Sequence, residues 1–309
     1  MITKIAGNTA LSVLILFLIS CTSPRNIIAS GKVTSKGTFK AGVNSSFNIA
    51  TVPLTEIDDI TKAAVNAIDA NKDSIFYNET AATLTRGLVA YSLDPVTPTF
   101  DVYVRYGLVE RVDVGYRYAS GAHVFDAMYQ FLGSTGTPDD PEATKGMHGS
   151  IGIQYSGQNA NLPSKVGLNT LGSLFNYELS RKDILIPLVF SIPVGPEETY
   201  GNFSFGVAYG RSSIKYGFNP SKQLVRYVGN QIEKIPAFSN KQSYSSFGAF
   251  INGKIGYKYA YFLPAISMYY QNYGTYNLFN LQKERYKGVT FIPSIGLQLN
   301  LGFKKKGTD

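Results

Sequence analysis

Val289-Thr290-Phe291-Ile292-Pro293-Ser294-Ile295-Gly296-Leu297-Gln298-Leu299-Asn300-Leu301-Gly302-Phe303 carries an apolar residue at every odd position. Its even positions are mainly small or polar: Thr290, Ser294, Gly296, Gln298, Asn300 and Gly302. A period of two means a β-strand with one apolar face and one polar face. No helix reading survives it, because a helical stripe would recur at three and four residues.

The same alternation recurs along the chain. Phe39, Ala41, Val43, Phe47 and Ile49 alternate with Lys40, Gly42, Asn44, Ser46 and Asn48. Phe203, Phe205, Val207 and Tyr209 alternate with Ser204, Gly206, Ala208 and Gly210. Ten segments read as strands: 37–51, 97–106, 111–119, 122–132, 147–156, 183–192, 202–211, 244–258, 260–271 and 289–303. Several reach the length of about 9–11 residues that a tilted membrane strand needs. Apolar-out, polar-in alternation with tyrosines toward strand ends is the pattern of a transmembrane barrel. A soluble β-sandwich also alternates. Strand length and the small, glycine-rich inner faces favour the barrel. The expected fold is therefore all-β, an antiparallel up-and-down transmembrane β-barrel of ten strands, with eight or twelve left open.

The amino terminus explains how such a chain reaches a membrane. Met1–Asn8 carries Lys4, Ala10–Ile19 is almost wholly apolar, and Ser20 precedes Cys21, the single cysteine. The apolar run is shorter than the roughly 20 residues of a membrane span, so it reads as an export signal. Removing Lys4 with it lowers the formal net charge from +8 to +7. Leu18-Ile19-Ser20-Cys21 resembles the lipobox of bacterial lipoproteins, which implies an acylated Cys21 at the start of the mature chain. By the same resemblance, Thr22 in place of aspartate implies the outer membrane. The lack of an acidic run after it implies an anchor in the periplasmic leaflet. With Cys21 lipidated, no disulfide is available.

Two further resemblances point the same way. Ser294-x-Gly296-x-x-Leu299-x-Leu301, ending near Phe303, resembles the β-signal read by the bacterial barrel-assembly machinery, which becomes an expected partner in biogenesis. The chain departs from it in continuing to Asp309. Arg105-Tyr106-Gly107-Leu108-Val109-Glu110-Arg111-Val112-Asp113-Val114-Gly115-Tyr116-Arg117-Tyr118 resembles a hairpin found in uncharacterised bacterial outer-membrane barrel lipoproteins. That resemblance implies a fold and no activity.

The hairpin places charge on its inner face. With a three-residue loop at Leu108–Glu110, Arg105 lies opposite Asp113 and Asp101 opposite Arg117, so one register gives two pairs of opposite sign. Asp126 then lies diagonal to Arg117 if Ser120-Gly121 is a tight turn. Asp101, Arg105, Asp113, Arg117 and Asp126 form an expected lumenal ion network. Its bland role is to neutralise buried charge and fix register; its sharper role is ion selectivity in a pore.

The domain reading is a signal at 1–20, a lipidated linker at 21–36, a barrel at 37–303 and a basic tail at 304–309. Ten strands put both ends on one side, read as the periplasm, with short turns there and the connections 52–96, 157–182, 212–243 and 272–288 outside. The first connection holds a helical insert, 54–93. Thr55 is placed to cap a helix carrying Ile57, Ile60, Ala64, Ala67 and Ile68 on one face, and a second stretch runs from Glu79 to Tyr91. Small inner residues such as Gly206, Gly248 and Gly296 are read as leaving lumenal room for this insert.

Chemistry is scarce. His148 and Ser150 share an inner face near Asp126, a Ser-His-acid set of the kind lipid-modifying barrel enzymes use, but no oxyanion donor can be named. His123 beside Tyr118 reads as a belt residue. Two distant histidines and no free thiol leave no metal set, no phosphate or dinucleotide fingerprint is present, and no nucleic-acid motif is found. The expectation is a non-enzyme without cofactor: an outer-membrane barrel with a structural, accessory or binding role. Its partners would be outer-membrane lipid, anionic headgroups among them, and a protein or glycan at tyrosine- and asparagine-rich outer loops such as Tyr269–Asn277. The alternatives are a narrow channel for small or hydrophobic solutes and a lipid-modifying enzyme.

Overall fold

Once strands carry one polar and one apolar face, closing the sheet on itself satisfies every backbone edge and separates the faces completely. The computed structural model describes residues 23–55, 75–76, 79–138, 146–161, 176–219, 224–228, 231–234, 237–278 and 283–302. Among these, ten antiparallel strands close a barrel: β1 (Phe39–Ala50), β2 (Thr97–Val109), β3 (Val112–Ala119), β4 (Ala122–Leu132), β5 (His148–Asn161), β6 (Tyr177–Val194), β7 (Gly201–Phe218), β8 (Phe238–Tyr257), β9 (Ala260–Asn277) and β10 (Lys283–Leu301). β1 closes the ring by pairing with both β2 and β10, Val43 facing Val102 and Leu297. A small separate sheet joins 224–228 to 231–234 and 75–76.

The faces sort as the period predicts. Val104, Phe125, Ile153, Phe203, Ile251, Phe262 and Leu297 stand exposed on the outside, while Asn44, Ser156, Ser204, Asn252 and Ser294 are buried within. A sandwich would bury the first set. An apolar exterior running through every strand is a surface for lipid, not water.

The wall is uneven. β6 to β10 have 18 to 20 residues each, whereas β3 has 8. At about 3.3 Å per residue the tall strands measure roughly 60 Å and β3 roughly 26 Å. One end has short links, such as Glu110–Arg111 and Lys258–Tyr259; the other carries the long connections and the two-residue turn Ser120–Gly121. That turn takes φ of 45° and 94°, the left-handed geometry that tight hairpins favour.

Two elements fill the interior. Helix α1 (Glu79–Leu93) lies at the long-connection end. Its Leu88, Val89, Ala90 and Leu93 pack with Tyr177, Tyr216, Tyr244, Tyr273, Tyr276 and Tyr286 from the tall strands. The second filler is the segment 23–36, read from sequence as part of a lipidated linker. It passes through the lumen as a strap, from Ser23, which donates to Asp183 at 3.0 Å and shares a small pocket with Ser120, to Lys36, which bridges to Gly107 at the short-turn end. Ile27 and Val33 pack there with Met128, Val189, Phe250, Tyr269 and Ile292.

The strap corrects the reading of the inner glycines. A Cβ on Gly248 would meet the Tyr269 ring at 2.4 Å, and one on Gly206 would meet Phe250 at 2.6 Å. These glycines make room for aromatic side chains that pack on the strap, not for the helix. Thr55 differs as well: residues 51–55 are already helical, and its Oγ1 donates back to the Val52 carbonyl at 2.8 Å instead of capping forward. Ile57, Ile60, Ala64, Ala67 and Ile68 lie outside the described residues, as do Phe303 and the basic tail.

Candidate functional site: the strapped lumen

The hairpin network forms, but in another register. The turn is Glu110–Arg111, with Arg111 at φ 66°, and the ladder shifts between Gly107 and Val109. Arg105 therefore faces Gly115, Tyr103 faces Arg117, Asp101 faces Ala119 and Gly107 faces Asp113. The expected direct pairs become diagonals. Arg105 Nη2 still reaches Asp113 at 2.5 Å, and Arg117 lies 3.8 Å from Asp101. Asp126 pairs with Arg105, not Arg117. Gly115 explains this: it lies between the two in the ladder, and a Cβ there would sit 2.6 Å from Asp126 Oδ2 and 3.0 Å from Arg105 Nη1. The guanidinium crosses the sheet over a residue with no side chain.

The strap ties itself to this network. Arg117 donates to the Asn26 side chain at 2.8 Å and to the Pro24 carbonyl at 3.1 Å. Asn26 Nδ2 donates to Asp101 at 2.9 Å, and the Thr34 amide donates to Asp113 at 2.7 Å.

A second network closes the short-turn end. Between β6 and β7 the chain folds Glu197 and Glu198 inward with φ of 50° and 61°. Glu197 pairs with Lys32 of the strap. Glu198 receives Lys254 at 3.1 Å and the Ser30 hydroxyl. Burial pushes the Glu198 carboxyl up, but Lys254, Lys40, Ser30 and Lys32 together hold it down at about 2. The Gly31 amide donates to Ser191 Oγ at 3.1 Å, and a Cβ on Gly31 would meet the His148 carbonyl oxygen at 2.5 Å.

A third network lies near α1. Asp94, which follows the helix, receives Arg25 at 2.5 Å, Thr290 at 2.5 Å, Asn48 and Gln271 at 2.8 Å and Tyr273 at 2.9 Å. Its burial acts to raise the carboxyl, and Arg25, Thr290 and Arg181 overcome that, leaving it at about 2. Arg181 joins Asp183 at 2.9 Å to the Leu93 carbonyl at 2.8 Å, fixing the helix end to the wall.

In these networks Arg25, Lys32, Arg105, Arg117, Arg181 and Lys254 pair with Asp94, Asp101, Asp113, Asp126, Asp183, Glu197 and Glu198. Lys40 Nζ donates to the Lys32 carbonyl at 3.2 Å, and with Lys40 counted the formal charges balance. A cavity of about 100 Å³ remains beside the strap, bordered by Lys40, Tyr103, Asn202, Asn252, Lys254 and Gln298. It has room for several waters.

The Ser-His-acid set does not assemble. Asp126 is committed to Arg105. His148 Nε2 contacts Ser134 Oγ at 3.2 Å, and its Nδ1 lies 4.0 Å from Glu198. Ser150 is fully buried, its hydroxyl without a hydrogen-bond partner among the described residues. His123 is bonded to Tyr116 at 2.8 Å on the exterior. Among the described residues no cluster of three or more metal-ligating side chains occurs. Sequence reasoning missed the strap, Asp94 and Glu198. The one local signal was Gly31 between the strap cations Arg25 and Lys32.

No family model matches the chain, and no curated protein does. Several solved structures are similar at low identity. The outer membrane protease OmpT of Escherichia coli is 9% identical, with 90% of this chain and 100% of that one covered, at a TM-score of 0.40. Neisserial surface protein A is 8% identical over 85% and 99%, at 0.30. A major outer membrane protein of Thermus thermophilus is 5% identical over 85% and 99%, at 0.32.

Proposed function

We propose that this chain is an outer-membrane β-barrel closed by its own amino-terminal strap, acting as a structural, accessory or binding module through its outward end and not as an open pore. The observation that carries this is the strap itself: residues 23–36 occupy the lumen and complete a charge-matched set of buried ion pairs. A conducting lumen would need an unfilled path through the barrel. The short-turn end is the periplasmic one by the usual asymmetry of such barrels.

Lipid anchoring at Cys21 belongs to this proposal and rests on the lipobox resemblance; Cys21 lies outside the described residues. Ser23, two residues on, is buried, donates to Asp183 at 3.0 Å and shares a small pocket with Ser120 of the β3–β4 turn. Two residues span at most about 7 Å. That position supports an anchor at the outward leaflet over the periplasmic leaflet expected from sequence.

The test is conductance in planar bilayers with purified protein whose heat-modifiable migration reports a folded barrel. Folded protein is expected to leave the bilayer silent. Steady conductance from intact protein would turn the reading to the channel.

A further inference from the structure

The outer wall changes character in one register step. Across the five tall strands, Ile186, Tyr209, Phe247, Tyr270 and Val289 are direct cross-strand neighbours, and every one is apolar or aromatic. Two residues nearer the outward end, the row reads Ile184, Arg211, Ser245, Asn272 and Lys287. Above it the outward face carries Lys182, Lys215, Lys241, Lys283 and Arg285, all exposed. Among described residues, Glu178 is the one exposed carboxylate on the outward face of β6–β10.

We infer that this face of β6–β10 is a binding site for the phosphate-bearing headgroup of a glycolipid in the outward leaflet. The inference rests on the outer-membrane reading and names the lipid that the barrel selects. Three features support it. First, seven cations share one side of five adjacent strands instead of scattering. Second, Lys215 and Lys241 are direct cross-strand partners, an arrangement that destabilises a sheet unless an anion lies between them. Third, a recess of about 590 Å³ opens between Arg211 and Arg285, with Ser243, Ser245, Asn272 and Thr275 along it. Guanidinium groups bind phosphate through paired, charge-assisted hydrogen bonds. The hydroxyl and amide side chains between them suit sugar hydroxyls. The apolar row directly below sets the height: an anion held here lies at the headgroup level, with its acyl chains continuing down Phe247 and Tyr270. A soluble anion would have no use for that belt.

The experiment reconstitutes the full protein in phosphatidylcholine nanodiscs and titrates three probes: diphosphoryl lipid A, its dephosphorylated form, and phosphatidylglycerol. Wild type is expected to bind diphosphoryl lipid A at least tenfold tighter than either other probe, with affinity falling as salt rises. Replacing Arg211, Lys215, Arg285 and Lys287 together by Ser is expected to remove that preference. Arg211→Lys with Arg285→Lys, which keeps the charge, is expected to retain most of it. Equal affinity for the phosphorylated and dephosphorylated forms, or an unchanged preference in the fourfold variant, would overturn the site. Equal affinity for phosphatidylglycerol would overturn the glycolipid assignment. Folded, inserted protein in every arm separates these results from failure of the barrel reading, which would show as protein that never inserts.

Discussion

Asp94 carries more of the outward-end closure than any other single side chain. It accepts from five groups on β1, β9, β10 and the strap. Removing one partner of a buried pair leaves the other charged and unmatched, at a cost of about 3–5 kcal/mol. Asp94→Asn is therefore expected to lower the temperature of heat-modifiable unfolding sharply, and Arg25→Ala to do nearly the same. The pH dependence follows from the depressed carboxyls. Asp94 and Glu198 stand at about 2 when folded, below ordinary values of 3.8 and 4.5. Groups depressed by folding stabilise fully above their unfolded values and lose that contribution as pH falls through the folded ones. Wild type should hold its unfolding temperature above about pH 5 and lose it between about pH 4.5 and pH 2. A flat profile across that window would contradict the role given to both groups. Neither residue is readable from sequence, because each lies in a turn or connection outside the alternating strands. Its partners lie on elements up to 196 residues away.

At the scale of elements, the strands were readable where one face is wet and the other is not. β4 runs 122–132 as the alternation predicts, but β8 begins at 238 instead of 244 and β7 ends at 218 instead of 211. Above the apolar belt the outward face becomes polar, as in Phe238-Ser239-Asn240-Lys241-Gln242-Ser243, so alternation fades while hydrogen-bonded pairing continues. The hairpin register was misjudged because opposite charges were placed face to face, whereas long side chains bridge diagonals equally well. The strap was unreadable for a related reason. It has no period, and its contacts reach β2, β4, β6, β8 and β9 one residue at a time. Its removal yields a prediction of sign. Arg25 and Lys32 leave with it, so five cations remain against seven carboxylates in the networks. A strap displaced by Gly31→Val, whose branched side chain collides with the His148 carbonyl, or a chain lacking 23–36, is expected to conduct with cation preference. Reversal potentials in a salt gradient measure this. A silent lumen in folded, strapless protein would show that α1 and the wall close the barrel unaided, and an anion-preferring one would contradict the charge count.

For the whole molecule, the decisive feature is that the chain passes through its own lumen before it builds the wall. β1 starts at the short-turn end, yet Ser23 lies buried toward the opposite end, sharing a small pocket with Ser120 where β3 turns into β4, the lowest part of the wall. Under the proposal of an anchor at Cys21, the mature chain starts on the outward side. A short epitope inserted between Thr22 and Ser23 is thus expected to be reached by antibody on intact cells. An epitope in the Lys258–Tyr259 turn should be reached only after the outer membrane is opened. The pair of labels fixes orientation and threading separately. If both are masked in intact cells and both appear on permeabilisation, the amino terminus lies at the periplasmic face and the strap does not thread. If only the Lys258–Tyr259 label is reached in intact cells, the barrel is inverted relative to the rule of short periplasmic turns. Surface reach at 22–23 alone is the outcome that the strap, the low β3–β4 rim and the turn asymmetry jointly require.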